Sequence, residues 1–478
     1  MKKNIQNAGG LQEPSSAESF TCPAKLISAD TCVEGEVAFA SKSSLLFKHR
    51  SGAFPENAQS FTSIEIQLKH NKVQLGQCSF ITPPPNAYFD GRLIFTNEVY
   101  DIGELFSEEK VVNLNTYFST LPFILQQKTK VNAKFKDYTS GLNYDLNAYK
   151  SFFDRIYLDY CGEEAEIYEK IENIIYQKEG KKFFSFLNEK LAELENLTKN
   201  YTPAEHQTHA YYLRRQFWSF ITMSKILYRT NTKPRGYPGD SATLNLIYDN
   251  EYVGDNIFSR LLHKHPLEAP AAAAVRNRKT FIADQINELH SKLRPSNKTK
   301  LEILSIACGP VRELEELLRS PEDFDRYSFT FLDQDNNALL DAKETINRIE
   351  QKFSKKVHYI FHMESVRTIM RVAHPENGIG KFDFIYSMGL YDYLADRMAK
   401  RLTEHLYQML KPGGHLTIGN YHINNPSRTY MEYWLDWVLC YRNEEEFLAL
   451  SKDLENSTCT LEFEPTRSQM FTIIQREK

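Results

Sequence analysis

Four small residues in a row, Ala307-Cys308-Gly309-Pro310, follow an apolar run and open a stretch of helical pattern. Small residues let the backbone approach a ligand just beyond the carboxyl end of a strand. Taken alone the segment also reads as a tight strand-to-helix turn, because the pattern G-x-G-x-x-G is absent. The next signal is acidic. Asp333 ends the following apolar run, 24 residues after Gly309, where a carboxylate can accept hydrogen bonds from a ribose diol. Gln334 lies beside it, and Asp335 is placed to cap the helix that follows. Glu364 and Ser365 follow the third run, where a nucleotide base would lie, and Ser387 ends the fourth and leads into Tyr391 and Asp392. After the fifth run, Asn420, Tyr421 and His422 bring polar side chains to a strand end. His422, Asp392, Tyr391 and Tyr421 are therefore the candidates for a general base.

These residues need a parallel sheet to bring them together, and the sequence from about residue 300 has that alternation. Strands are expected at 301–306, 328–332, 357–361, 382–386 and 415–418, with helices at 311–318 and 335–353 between them. Lys411-Pro412-Gly413-Gly414 reads as a turn before the fifth strand. Two further strand-like runs, 460–463 and 470–474, close the chain. The expected fold is α/β with a Rossmann-like sheet. Upstream, Thr202, Pro203 and Glu205 form a helix start with a capping box. That helix is expected to run to about residue 228. Ile167, Ile171, Ile174 and Ile175 fall on one helical stripe. Tyr430, Tyr433, Trp434 and Trp437 fall on another, read as core or as the wall of an acceptor pocket.

The first hundred residues read differently. Residues 63–68 alternate with period two, and similar short runs at 72–75 and 92–95 are separated by turn signals such as 51–52, 83–86 and Asp90-Gly91. We divide the chain into a disordered tail (1–18), a small β-barrel (19–110), a helical linker or cap (111–230) and a catalytic domain (231–478). The 478 residues carry a net charge of −4, so no global pull toward nucleic acid is expected. No window is long and apolar enough for a transmembrane helix, and no signal peptide is evident, so a cytoplasmic location is expected. The seven cysteines include no C-x-x-C, and the two His pairs, 206/209 and 263/265, lack further ligands. They are read as surface residues, and no metal site is expected.

The set of motifs in order resembles the class I S-adenosylmethionine-dependent methyltransferases over about 300–478. It departs at the glycine-rich signature, where Ser305 replaces the usual acid and Ala307 the first glycine. A Rossmann dehydrogenase is the nearest competing fold, and the missing glycines and the Lys-Pro-Gly-Gly turn count against it. Lys233-Pro234-Arg235-Gly236-Tyr237-Pro238-Gly239-Asp240 and the run from Ala271 to Arg278, taken with Ile306 to Pro310 and 332–335, extend the likeness. Over about 70–478 the chain resembles the bacterial extracellular-factor (3-hydroxypalmitic acid methyl ester) biosynthesis methyltransferases. The resemblance implies S-adenosylmethionine as cofactor and a fatty-acid-like carboxylate as one acceptor. Arg235, Tyr237, Tyr421, Tyr430 and Trp434 are its candidate contacts. Arg276 and Arg278 could also hold a carboxylate bidentately, the alternative being a solvated helix face. Residues 36–47 are similar in shape to the core strand of a PilZ domain, without its paired arginines. Two rival functions stand beside the ester-forming one: a non-catalytic module that senses a ligand or docks a partner, and methyl transfer to a protein or polar metabolite. Oligomeric state is not legible.

Overall fold

The protein is described by a computed structural model covering residues 22–28, 31–41, 44–50, 60–67, 72–81, 90–96, 100, 125, 128–293, 300–371 and 379–477. The chain divides into two compact units, Met1–Lys130 and Val131–Lys478. The expected tail at 1–18 and the turns at 51–52 and 83–86 lie outside the described residues.

In the first unit, eight strands form one antiparallel sheet: β1 (Cys22–Ile27), β2 (Cys32–Ser41), β3 (Ser44–His49), β4 (Ser60–Phe61), β5 (Ser63–Gln67), β6 (Lys72–Leu75), β7 (Cys78–Ile81) and β8 (Gly91–Phe95). The period-two reading holds, since Ile64 and Ile66 of β5 and Val73 and Leu75 of β6 are buried while their neighbours are not. The expected closed barrel is corrected. The strand order β4-β7-β8-β3-β2-β1-β5-β6 has two ends, and no pairing among the described residues joins them. Only Thr62 separates β4 from β5, so the sheet doubles back at that point.

The second unit is built on a seven-stranded sheet. Its strands are β9 (Leu301–Ile306), β10 (Tyr327–Asp333), β11 (Tyr359–Met363), β12 (Phe382–Ser387), β13 (Leu410–Tyr421), β14 (Ser457–Phe463) and β15 (Gln469–Arg476). Their order is β11-β10-β9-β12-β13-β15-β14. The pairs from β11 to β13 are parallel, and β15 runs antiparallel to both β13 and β14. A central parallel strand is buried on both faces, and β9 shows how. Its Leu301 and Ile303 enter one core with Ile282, Ile286 and Ile346, while Leu304 and Ile306 enter a second with Leu402 and Leu406. The helices Pro270–Leu293 and Asn336–Phe353 therefore cover one face and Asp396–Gln408 the other. The strand order reverses between β9 and β12, and such a switch point opens a crevice at the carboxyl ends of the strands.

Three local expectations change. The helix expected at 311–318 is only the short Leu314–Leu317, because Val311 is held at a left-handed φ of 48°. Lys411 to Gly414 are not a turn before the fifth strand but lie inside β13, where the register slips between Phe382 and Phe384 of β12. Gly413 has φ 79°, and a Cβ on Gly414 would stand 2.9 Å from the Asp383 carbonyl oxygen, so glycine is required in that irregular stretch. The capped helix forms as read, with both capping-box bonds between Thr202 and Glu205. It ends at Gln216, however, and the chain continues in two further helices, Trp218–Ile221 and Lys225–Thr232.

The helices upstream of the sheet share a core with the segment after β13. Phe217 packs on Trp434 with ring centroids 5.0 Å apart, and Leu213, Phe220 and Leu227 belong to the same cluster as Tyr430, Tyr433 and Trp437. On the stripe read at 167–175, Ile175 is buried while Ile167 and Ile174 are exposed. The His pairs are not surface residues, because His209, His263 and His265 are all buried. Burial pushes His263 and His265 down to about 4, which makes them neutral hydrogen-bonding core groups at pH 7.

Candidate active site

The turn after β9 is held in an unusual backbone conformation. Ala307, Gly309 and Val311 have φ of 51°, 57° and 48°. A β-branched residue in the left-handed region costs about 1–3 kcal/mol and persists only where its surroundings over-determine it. Asp333, at the end of β10, supplies part of that restraint. Its Oδ2 accepts from the Gly309 N–H at 3.1 Å and its Oδ1 from the Asp335 N–H at 3.0 Å. The Cys308 N–H also donates to the Leu332 carbonyl at 3.2 Å. Burial pushes the Asp333 carboxyl above its usual range while the backbone donors oppose the shift.

This turn forms one wall of a cavity of about 300 Å³ at the switch point. The sequence-predicted residues Ala307, Cys308, Gly309, Pro310, Asp333, Gln334 and Glu364 line it. Ser365 and Ser387 do not. Ser365 Oγ accepts from the Arg367 N–H at 3.3 Å, and the buried Ser387 hydroxyl donates to the Ile306 carbonyl at 3.1 Å, tying β12 to β9 beneath the cavity.

The opposite wall comes from the helical region and from the segments after β12 and β13. Tyr237, Asp392 and Tyr421 line it as expected. Arg235 instead secures the loop that carries Tyr237. Its guanidinium donates to Ser241 Oγ at 2.6 Å and to Asp341 Oδ2 at 3.1 Å, and Asp335 lies 3.7 Å away. Tyr237 stands edge-on to Tyr393, and Gly239 lies so close behind that a Cβ there would fall 2.6 Å from the Trp437 ring. Trp437 donates its indole N–H to the Tyr393 hydroxyl at 2.9 Å.

Four of the expected contacts lie elsewhere. His422 does not line the cavity. It is buried beside Phe463, with its Nε2 3.1 Å from Glu444 Oε2, because β13 turns away after Tyr421 to pair with Arg442. Tyr391 is fully buried on the far side of its turn, and its hydroxyl meets Thr403 Oγ1 at 2.9 Å. Tyr430 bonds His265 Nδ1 at 2.8 Å, and Trp434 packs on Phe217. The helix Arg428–Tyr433 is too short to carry the stripe as one face, so Trp437 alone of those four aromatics reaches the cavity.

The motifs do not single out Glu313, Tyr248, Tyr393 or Lys279, and a solvated helix face is the commoner expectation for Arg278; all five line the cavity, and Arg278 is buried. Arg278 is buried on the helix Pro270–Leu293 and donates to the Met388 carbonyl at 3.2 Å. Burial pulls its pKa down, but Tyr248, Tyr421 and Asp392 more than compensate and keep it a cation. The signal was in the helix pattern. Ala271, Ala274, Val275, Arg278, Ile282, Ile286 and Leu289 form one buried stripe, and an arginine on an apolar stripe is a functional signal. Arg276, by contrast, ties helix ends together through the Ile247 and Leu267 carbonyls at 3.2 and 2.8 Å. Asp392 is buried within the electrostatic reach of Arg278, and its Oδ1 accepts from the Tyr421 N–H at 2.7 Å. Desolvation nevertheless pushes its carboxyl up to about 7, and the Tyr421 N–H, Arg278 and Arg442 only moderate the rise. No cluster of three or more His, Cys, Asp or Glu suited to a metal occurs among the described residues, and none of their helices is long and apolar enough to cross a membrane.

Residues 185–422 match the sequence model of a family described as "Putative methyltransferase". That stretch runs from the upstream helices through the left-handed turn after β9 to the end of β13. No curated protein matches the chain. Among solved structures, a Bordetella parapertussis protein described as a possible exported protein is 16% identical, covering 50% of this chain and 80% of its own, with a TM-score of 0.37. Magnesium protoporphyrin IX methyltransferase from Synechocystis PCC 6803 with bound S-adenosylmethionine is 10% identical, covering 43% and 83%, with a TM-score of 0.31. A plantazolicin methyltransferase in complex with S-adenosylhomocysteine is 12% identical, covering 55% and 99%, with a TM-score of 0.34.

Proposed function

We propose that this chain, an S-adenosylmethionine-dependent methyltransferase, esterifies the carboxylate of a small, largely apolar acid. The residues of the cavity fit the cofactor. The left-handed turn at Ala307 and Gly309 brings bare backbone to the cavity wall, and Asp333 offers a buried carboxylate at the strand end, where a ribose diol would sit. Gln334 and Glu364 border the same end.

The observation that carries the acceptor assignment is Arg278. It is a buried guanidinium at the cavity wall, beside Gly389 and within the influence of Asp392. A fixed, desolvated arginine is the natural partner of a carboxylate. The aromatic walls at Tyr237, Tyr393 and Trp437 suit an apolar remainder, and the family resemblance favours a fatty-acid-like one. Bound S-adenosylmethionine supplies a methyl group on a sulfonium. With the cofactor bound, the acceptor oxygen would form the new C–O bond as the S–C bond breaks, the electron pair staying on sulfur. A carboxylate acceptor is already ionised at neutral pH and needs no base. Arg278 orients it. Asp392, protonated below about pH 7, adds a hydrogen-bond donor without repelling it.

Asp392 also supports a second reading, because a carboxyl that titrates near 7 suits a general base for a hydroxyl or amine acceptor. The two readings predict opposite pH profiles. With a carboxylate acceptor, turnover is expected to be highest below about pH 7 and to fall as Asp392 ionises and repels the acceptor. With Asp392 as base, turnover rises through the same range. Initial rates between pH 5.5 and 8.5, in parallel with cofactor affinity, separate them.

The acceptor class itself is tested with methyl-labelled S-adenosylmethionine and carboxylic acids of graded chain length, 3-hydroxy acids included. Label in a base-labile ester is expected, with binding improving by ~0.8 kcal/mol per buried methylene until the cavity is full. Label found only in a base-stable amine or ether product would overturn the carboxylate assignment.

A further inference from the structure

The amino-acid end of S-adenosylmethionine carries an ammonium group, and an ammonium removed from water requires an anionic partner. The strand position where the resemblance leads one to expect an acid holds Ser305. Ser305 lines the cavity, but its hydroxyl carries no charge. We infer that Glu313 takes over this task and receives the ammonium group of the cofactor's methionine end. This rests on the S-adenosylmethionine reading of the cavity and deepens it.

Four carboxylates line the cavity: Glu313, Asp333, Glu364 and Asp392. Asp333 ends β10 and is engaged by two backbone N–H groups of the turns around it. Glu364 is exposed and lies beyond β11, on the far side of β10 from β9. Asp392 belongs to the opposite wall, under Tyr421. Glu313 is the carboxylate tied to the Ser305 position. Ser305 of β9 and Tyr386 of β12 are register partners across the parallel pair, so their side chains emerge on one face. Tyr386 donates its phenolic hydroxyl to Glu313 Oε1 at 2.5 Å and also interacts with the Ser305 side chain. The chain reaches that place through the strained Val311, whose φ of 48° redirects the backbone two residues before Glu313. Strain at such a point marks a conformation that the surroundings enforce. Glu313 is only 8% exposed, so without a cation its charge is poorly compensated. Burial pushes its carboxyl up, and the Tyr386 hydrogen bond and Arg278 counter this only in part. A bound ammonium would complete the compensation.

The test uses the full chain, unaltered and as Glu313→Gln, titrated calorimetrically with two ligands. S-adenosylhomocysteine has the amino-acid end, and methylthioadenosine lacks it. Glutamine keeps the volume and an acceptor for Tyr386 while removing the charge. Affinity for S-adenosylhomocysteine is expected to fall about 30-fold, as for loss of a charge-assisted hydrogen bond, with methylthioadenosine affinity changed less than about twofold. Glu313→Asp, which keeps the charge, should recover part of the loss. Unchanged binding of S-adenosylhomocysteine would overturn the assignment. An equal loss for both ligands would also overturn it, by reducing Glu313 to a support for the turn. If neither ligand bound the unaltered protein, the reading of the cavity as a cofactor site would fall with it.

Discussion

Asp333→Ala is expected to lower the affinity for S-adenosylmethionine by at least about 100-fold while leaving a folded protein. Two effects add. On the proposed ribose assignment, the diol would lose a charged acceptor, which is worth about 1.5–3 kcal/mol per hydrogen bond. The turn also loses the group that holds it, because the Asp333 carboxylate accepts from the N–H groups of both Gly309 and Asp335. Without that restraint, the left-handed conformations of Ala307 and Val311 are free to relax away from the geometry that lets the backbone meet a ligand. Asp333→Asn separates the contributions, since its amide oxygen can still accept one of the two N–H groups while the charge is gone. Calorimetry with S-adenosylmethionine and with methylthioadenosine checks this. Both ligands should weaken together, unlike the selective loss expected at Glu313. Unchanged affinity in folded Asp333→Ala would remove Asp333 from the ribose site.

The second large effect is expected at Arg278. Arg278→Met should reduce kcat/KM for a carboxylate acceptor by about 100- to 1,000-fold. Removing one member of a buried, hydrogen-bonded charge pair costs about 3–5 kcal/mol, and a carboxylate acceptor would lose its only bidentate partner. The loss of the bond to the Met388 carbonyl is expected to lower the melting temperature as well, so Arg278→Lys serves as the companion variant. Lysine keeps the charge but not the planar fork, and it should restore stability more fully than rate. Cofactor affinity should change far less than turnover. A large fall in cofactor affinity with turnover per bound enzyme unchanged would place the guanidinium on the cofactor's own carboxylate and leave the acceptor without a named anchor.

The aromatic stripe shows how far a one-dimensional pattern reaches. Tyr430, Tyr433, Trp434 and Trp437 have helical spacing, and their burial follows from it. Which of them meets a ligand does not follow. The helix ends at Tyr433, Trp434 turns into the core against Phe217, and only Trp437 swings back to Tyr393 and the cavity. A periodicity gives a buried face but not what that face is buried against. The same holds for His422. Its place after a strand end made it a candidate base, yet β13 carries Tyr421 to the cavity and takes His422 past it to Glu444.

The sequence by itself determined the alternation of strands and helices beyond residue 300, the place of the Ala307–Gly309 turn, the acidic end of β10 and the terminal strand pair. These are local facts. Apolar runs bounded by turn residues specify strands, and backbone sterics restrict which residues a ligand-facing turn accepts. Only the tertiary structure decided the wall opposite that turn. Arg278 comes from a helix that precedes the sheet, Tyr237 and Tyr248 from the helical region, and Asp392, Tyr393 and Trp437 from segments after β12 and β13. No spacing in the chain relates these residues. They meet because the helical region packs on the segment after β13 in one core. The charges of Arg278, Glu313 and Asp392 gain their character from the burial that this packing imposes. A carboxyl in water and a carboxyl beneath Tyr421 are spelled the same in sequence, and desolvation is what sets them apart.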